Sequence, residues 1–303
     1  MLLIQKMNSD DSLPDLYIVI ISFAGVSLIL TLGLLFFSFC AKIKTTNAFV
    51  VVMNIIISNL VHVLSYTLNW VKNNNQLLFP LIFCDLQSIL MVWSSMSQEL
   101  WITLYVLVAY LNLLKGKNFE GKKWTDFLLY SFVCYLIPLG ISLAFYFTKF
   151  FGKNNLYCWI TIEHTQHLIA EITIYGIRYI NFFINLLFTF LIIKFVLSHY
   201  DDDTSVKEKG IQFIIYPSIQ LLGMILPSLN RIFQVFNVTS VLEVPGTISV
   251  MLQGLLFPIC YGWTSHAFYF LINCCKPVRP DNISDNISDY LTDDSALIDE
   301  SNH

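Results

Sequence analysis

The stretch YPSIQLLGMILPSLNRI, residues 216–232, decides how the rest of the chain is interpreted. Its apolar length predicts most of a membrane-spanning helix. Its two prolines, Pro217 and Pro227, would cost hydrogen bonds in an exposed helix but are tolerated as kinks among neighbouring helices. Arg231, near its end, is expensive in a membrane unless it faces a polar interior or an interface. The stretch therefore predicts a helix that moves when a ligand binds; the alternative is an arginine that merely anchors the helix at the headgroups.

The composition of the whole chain indicates a membrane protein. Of its 303 residues, 56% are hydrophobic and only 13% are charged, and the mean hydropathy is +0.64. A soluble domain carries roughly 25% charged residues, so about half of the expected charge is missing. The few basic residues are scattered, which argues against a nucleic-acid partner.

Seven apolar segments are each long enough to cross a ~30 Å hydrocarbon core at 1.5 Å per residue. The fold class expected is an all-α membrane protein, a seven-transmembrane helix bundle. The seven segments cover residues 16–40, 47–70, 80–114, 124–148, 170–197, 210–236 and 245–272.

Lysine and arginine gather on one side of these segments, which sets the orientation. Eleven basic residues lie at the loops after the first, third and fifth segments and just past the seventh, against four on the other side. We therefore expect the N-terminus outside and the C-terminus in the cytoplasm. The domain order expected is a short extracellular N-terminus at 1–15, a transmembrane domain at 16–272 and a disordered, acidic cytoplasmic tail at 273–303.

Two of the seven cysteines fall on the outer, oxidising side in this orientation. Cys84 lies at the outer end of the third segment, and Cys158 lies in the loop after the fourth. A disulfide between them is the expectation, and two free thiols are the alternative. Cys274 and Cys275 follow the last segment directly, beside a lysine, which suits palmitoylation, although they could equally be unmodified.

Two arginines inside the segments are candidates for ligand contacts. Arg178 lies about two turns into the fifth segment, Arg231 lies near the outer end of the sixth, and Glu171 shares a helical face with Arg178. A guanidinium fork matches carboxylate and phosphate, so this set predicts an anionic ligand. The alternative is internal salt bridges to Glu171, Asp85 or Glu243.

Three further ionisable residues fall deeper in the segments: His62, Glu99 and His266. We expect them to form an interhelical polar network and to act, Glu99 and His266 in particular, in a switch hinged at the prolines of the sixth segment. A small transporter or channel is the rival function, and these three residues would be its only polar path.

The remaining motifs are weak. The sequence EHTQH at 163–167 has metal-ligand residue types but no matching second cluster, so no metal site is expected. The sequon at Asn237 lies in the last outer loop and is a possible glycosylation site. No catalytic fingerprint and no cofactor-binding motif is present, so we expect neither an enzyme nor a cofactor.

Five stretches match the motifs of a known receptor family: YPSIQLLGMILPSLNRI at 216–232, LQG at 252–254, YGW at 261–263, YCWI at 157–160 and ELW at 99–101. They resemble the cyclic-AMP-receptor-like G-protein-coupled receptors of social amoebae and, more distantly, the secretin-type receptors. The stretch at 216–232 is similar to that family's sixth helix.

The resemblance implies a receptor in the plasma membrane that binds an extracellular small molecule among the outer ends of its helices. It further implies that the sixth helix swings at its inner end and opens a cleft for a heterotrimeric G protein. The lysines around this cleft could meet anionic membrane lipids, or could serve only to set the topology: Lys115, Lys117, Lys122, Lys123, Lys207 and Lys209. A receptor-shaped protein that no longer couples to a G protein is a third possibility.

Overall fold

A computed structural model describes residues 13–40, 47–74, 80–115, 124–153, 158–160, 165–198, 204–235 and 242–264. The chain divides into two compact units, Met1–Tyr261 and Gly262–His303. Of the second unit, only residues 262–264 are described, and they are helical.

The described residues form seven helical segments and one short hairpin. Six of the segments are single α-helices: α1 (Leu13–Cys40), α2 (Asn47–Asn74), α3 (Pro80–Lys115), α5 (Thr165–Ser198), α6 (Thr204–Val235) and α7 (Glu243–Thr264). The remaining segment, α4, spans 124–147 in three successive parts: α-helical Trp124–Ser131, π-helical Phe132–Leu136 and α-helical Ile137–Phe147.

Each helical segment begins within about six residues of the apolar segment that predicts it. The hairpin was not predicted. It pairs β1 (Phe151–Lys153) antiparallel with β2 (Cys158–Ile160), in a register that places Gly152 opposite Trp159. Three-residue strands are too short to give an alternating pattern that sequence inspection could detect.

The polarity of the bundle is reversed relative to a soluble protein. Large apolar side chains face outward, as in Phe36, Phe147 and Leu197, while buried serine, asparagine, glutamine and glutamate side chains occupy the interior. Such an arrangement suits a hydrocarbon solvent, in which polar groups must find partners inside the protein.

Five of the seven helical segments, α1, α2, α4, α5 and α7, are long and apolar enough to cross a membrane, judged over the described residues. The segments α3 and α6 are not among these five. In α3 the reason is a polar run that includes Gln87, Gln98 and Glu99, all of them buried. A helix surrounded by other helices can carry such residues because it does not face lipid.

The central position of α3 explains its polarity. It packs against α2, α4, α5 and α6 and against both strands of the hairpin. Trp101, Ile102, Val106 and Ala109 on α3 are fully buried. Among the described residues, α3 therefore contributes more buried side chains than any other helix.

The backbone carbonyl of Gly254 joins α7 directly to α1 and α2 and, through Asn59, to α3. It accepts hydrogen bonds from Ser27 Oγ of α1 at 2.9 Å and from Asn59 Nδ2 of α2 at 3.1 Å. Asn59 Oδ1 in turn accepts a hydrogen bond from Gln98 Nε2 of α3 at 3.4 Å. A side chain at position 254 would collide with the buried Val63, so only glycine lets α7 approach α2 this closely.

The two internal prolines of α6 lie in one unbroken helix. Pro227 cannot donate a hydrogen bond to the carbonyl of Gly223, which weakens the helix at that turn. Gly223 and Pro227 both face α7. The side chain of Gln253 lies against Gly223, and a Cβ added at Gly246 would lie 3.4 Å from the Pro227 backbone. The weak point of α6 is thus supported by its neighbour.

We predict that Gly254→Ala destabilises the protein by about 1–3 kcal/mol, because Val63 is buried and branched and cannot move aside. The matched control is Gly140→Ala, at an exposed helical position where an added Cβ meets nothing within 4 Å. Thermal unfolding of the purified protein in detergent measures both. Equal unfolding temperatures for the two variants would contradict the close approach of α2 and α7.

Candidate functional site

The centre of the candidate site is an ion pair between α3 and α5. Arg178 Nε donates a hydrogen bond to Glu99 Oε1 at 2.6 Å, and the two side chains are 12% and 4% exposed. Glu99 lies 19 residues into α3, so the pair lies at the depth of the middle of that helix, roughly 28 Å along it. The ion pair therefore lies inside the bundle and away from both helix ends.

The ion pair with Arg178 satisfies only one of the two carboxylate oxygens of Glu99. Its second oxygen, Oε2, is buried and has no hydrogen-bond partner among the described residues. A buried carboxylate with one free oxygen is costly, since a pair is stable in a low-dielectric medium only when its remaining lone pairs are satisfied. Arg178 also lies over the ring of Tyr175, with Cζ 5.6 Å from the ring centroid, a cation–π contact. Arg178 therefore has a second favourable contact besides the ion pair, whereas Glu99 Oε2 has none in the described part of the chain.

A second polar contact joins α2 to α3 five residues before Glu99. Ser94 Oγ lies 3.3 Å from His62 Nδ1, and Ser94 also donates to the backbone carbonyl of Leu90. The His62 ring meets Tyr66 edge-on, with centroids 5.6 Å apart. The helices α2, α3 and α5 are therefore linked through polar side chains at neighbouring depths.

The disulfide holds the hairpin against α3 at the start of that helix. Cys84 is bonded to Cys158 of β2, with the two Cα atoms 5.3 Å apart, so the expected pairing is confirmed. Gln87 strengthens the junction: its Oε1 accepts from the backbone N–H of Cys158 at 3.0 Å, and its Nε2 donates to the carbonyl of Ser65 at 3.1 Å. All three residues of β2 are buried, and Trp159 and Ile160 pack into the hydrophobic core.

The helix α6 is tied to the rest of the bundle near Pro217. Tyr216 meets Tyr105 of α3 edge-on at 5.1 Å between centroids and stacks on Phe257 of α7 at 6.0 Å. One turn further on, Gln220 Oε1 accepts a hydrogen bond from Asn185 Nδ2 of α5 at 3.0 Å. These contacts join α6 to α3, α5 and α7 at one level of the bundle.

A comparison with protein-family models identifies the family to which this helical bundle belongs. The model described as "7 transmembrane receptor (Secretin family)" matches residues 11–257. The chain belongs to this receptor family. A comparison with the curated proteins finds no match.

Membership makes the chain a multi-pass membrane protein of the G-protein-coupled receptor type, and receptors of this family are generally not enzymes. The match covers every helical segment from α1 through most of α7. It begins well before the similar stretches that the sequence shows and ends before the last of them, YGW at 261–263.

The structure places some of the sequence-predicted site residues and leaves others outside its description. Arg178 and Glu99 are brought together, and Pro217 and Pro227 lie within α6. Glu171 and Arg231 lie in α5 and α6, but their side chains are outside the described part of the receptor. The predicted sites wholly outside the described residues are Asn237, His266, Cys274 and Cys275.

The partner of Arg178 was missed by sequence reasoning. The sequence suggests Glu171, Asp85 or Glu243, whereas the carboxylate that binds Arg178 is Glu99, 79 residues away along the chain. Sequence spacing detects partners on one helix and does not register two helices against each other. A signal was nevertheless present, since Glu99 is the acidic residue that falls deepest in the apolar segments.

Within the described ranges, no group of three or more histidine, cysteine, aspartate or glutamate side chains is placed to hold a metal ion. The EHTQH sequence at 163–167 lies at the boundary of the description, and its side chains are outside it.

We predict that Arg178→Leu destabilises the receptor by about 3–5 kcal/mol, because it leaves Glu99 buried without a counter-charge. The double variant Glu99→Leu/Arg178→Leu should recover most of that loss, since both charges are then removed together. Thermal unfolding of the two purified variants measures the difference. A double variant no more stable than Arg178→Leu would contradict the ion pair.

We also predict that Cys84→Ser and Cys158→Ser each cost about 2–5 kcal/mol, because the bond closes a long loop. The double variant should be no less stable than either single variant, since one bond is lost in all three cases. Unfolding temperatures under non-reducing conditions measure this. Additive losses would show that the two cysteines act independently.

Proposed function

We propose that this protein is a plasma-membrane receptor that binds an extracellular, anionic small ligand and activates a heterotrimeric G protein. Its membership of the secretin receptor family supports the receptor function. The observation that carries the ligand class is the Glu99–Arg178 ion pair, a guanidinium held by one carboxylate inside the bundle. A ligand carboxylate or phosphate could replace that carboxylate.

The proposed topology has seven spans, with the N-terminus outside and the acidic tail, from residue 273 on, in the cytoplasm. The eleven basic residues on one side of the apolar segments support this orientation. It places the disulfide and the hairpin at the outer end of the bundle, above the ion pair. Cys84 precedes Glu99 by 15 residues, which corresponds to roughly 22 Å along α3.

The proposed ligand contacts are Arg178, Arg231 and Glu171. An anion that reaches Arg178 competes with Glu99, and the guanidinium can bind it in a bidentate manner. Glu99 is then left as an unpaired buried carboxylate, which is unfavourable. Ligand binding and the release of α3 from α5 are therefore coupled through one arginine.

The proposed switch connects this release to α6. Glu99 lies six residues before Tyr105 on α3, and Tyr105 contacts Tyr216 of α6 next to Pro217. A shift of α3 therefore acts on α6 close to one proline, and Pro227 supplies a second weak turn. Together with His266 of the last segment, these residues form the proposed switch that moves the inner end of α6.

The free-energy difference that a ligand must supply to drive this switch is modest. A ligand shifts a two-state equilibrium only by its difference in affinity for the two states, and roughly 5.5 kcal/mol moves it from 1:99 to 99:1. One charge-assisted hydrogen bond contributes roughly 1.5–3 kcal/mol. A small ligand that makes about three such bonds in the active state alone supplies a free-energy difference of this size.

A finer proposal is that the receptor is of the cyclic-AMP-receptor-like type, which the similar stretches in the sequence support. Cyclic nucleotides then belong among the candidate ligands. We further propose that Asn237 is glycosylated and that Cys274 and Cys275 carry palmitoyl groups at the membrane surface.

A small transporter or channel is the less favoured alternative, because the matching family is a receptor family. The polar path it would need consists of His62, Glu99 and His266. Two of these residues are engaged within the described structure, His62 with Ser94 and Glu99 with Arg178.

We predict that the reconstituted receptor accelerates nucleotide exchange on a heterotrimeric G protein in the presence of a small anionic ligand. The panel contains cyclic nucleotides, other nucleotides, carboxylates and uncharged analogues. Arg178→Lys keeps the charge but loses the fork, so it should weaken ligand potency by about tenfold or more. Arg231→Ala tests the second contact, and Lys194→Ala, at an exposed position of α5, is the control.

Ligand potency that survives Arg178→Lys and Arg231→Ala, at normal surface expression, would place the ligand elsewhere. Uptake or current with any panel member, without nucleotide exchange, would favour the transporter. The absence of both responses would point to a receptor-shaped protein that no longer couples.

A further inference from the structure

The hairpin places two apolar side chains inside one end of the bundle. Trp159 and Ile160 of β2 are 3% and 1% exposed, and they belong to one hydrophobic cluster with side chains of α1, α2, α3, α5 and α7. The strand β2 lies against α3 and α5, the two helices that carry the ion pair. Segments that connect helices normally run over the surface, so the burial of this whole strand among helices requires an explanation.

The same hydrophobic cluster reaches to within one helical turn of the ion pair. It includes Ile174, one turn before Arg178 on α5, and Met96, three residues before Glu99 on α3. The ion pair is nearly closed to solvent, with the Glu99 and Arg178 side chains 4% and 12% exposed. In the proposed topology, a ligand that comes from outside to Arg178 must therefore pass the buried side chains of β2.

The hairpin is fixed at Cys158 and less restrained at the next residue. Cys158 is held by the disulfide and by Gln87 Oε1, which accepts a hydrogen bond from its backbone N–H at 3.0 Å. Trp159, by contrast, lies opposite Gly152 in the register of the two strands. Cross-strand pairs of side chains stabilise a hairpin, and glycine offers no side chain for one. The indole can therefore leave the helices without breaking a cross-strand pair.

We propose that Trp159, together with Ile160, is a gate that closes the route from the outer water to the Glu99–Arg178 ion pair. While the gate is closed, it keeps water away from the pair, which strengthens the attraction between the two charges. When it opens, the two side chains withdraw from the cluster while the disulfide keeps β2 attached to α3, so the gate can close again over a small ligand. The inference rests on the proposed function in one respect, the arrival of the ligand at Arg178.

The accessibility of a thiol beneath the gate tests this inference. The receptor carrying Ile174→Cys is placed in nanodiscs and treated with a charged, membrane-impermeant methanethiosulfonate, and the label on the α5 peptide is quantified by mass spectrometry. We expect slow but complete labelling, because a buried thiol reacts only while the gate is open. Met96→Cys serves as a second reporter, on α3. The measurement needs neither a ligand nor a G protein, so its failure would leave the proposed function untouched.

Removal of the indole should hold the route open. Trp159→Ala should speed the labelling of Ile174→Cys by about tenfold or more, since the labelling rate follows the open population. Trp159→Phe keeps an aromatic ring in the cluster, and its labelling rate should stay within about threefold of that with tryptophan. The matched control is Trp101→Ala, which removes an equally buried indole that meets Tyr135 of α4 instead. This control should leave the labelling rate unchanged.

Three results would overturn the gate. Labelling as fast with Trp159 in place as in Trp159→Ala would show that the indole does not close the route. No labelling at all with Trp159 in place would show a permanent plug, and an equal acceleration by Trp101→Ala would show a general loosening of the bundle. If Trp159→Ala fails to form its disulfide, Ile160→Ala replaces it, with an expected acceleration of about threefold.

Discussion

A charge buried in an apolar medium must have a counter-charge, and in this receptor that requirement is met by one contact between α3 and α5. Arg178 and Glu99 are each too costly to bury alone, so neither helix can take its observed position without the other. Around the pair, α3 carries further buried polar residues, Gln87 and Gln98 among them. The bundle is arranged so that this one polar helix is covered by the others.

The Cys84–Cys158 disulfide and the junction at Gly254 complete that arrangement. Cys84–Cys158 fixes the hairpin at the start of α3, and Gly254 brings α7 against α1 and α2. The described contacts of α6 with α3, α5 and α7 include two aromatic ring contacts and one amide pair. Its two internal prolines weaken its hydrogen-bond ladder at two turns, so the proposed switch lies in this helix.

Much of the helical structure could be predicted from the sequence, because apolar segments of 20 or more residues and their turn residues are local signals. The Cys84–Cys158 pair could also be predicted, since only two cysteines fall on the side expected to be oxidising. The Glu99–Arg178 pair could not, because the register of α3 against α5 depends on the packing of the whole bundle. The hairpin and the π-helical turn of α4 escaped detection since neither leaves a pattern in so few residues.

The proposed switch requires that the Glu99–Arg178 pair hold the receptor inactive. It is tested most directly by nucleotide exchange on the G protein without ligand, catalysed by wild type and by Glu99→Gln at equal surface density. Glutamine keeps the size of the side chain and removes its charge. We therefore expect ligand-free nucleotide exchange at least about tenfold faster than with wild type. An exchange rate equal to that of wild type, measured on a variant with its disulfide intact, would show that the ion pair stabilises the fold but does not hold the receptor inactive.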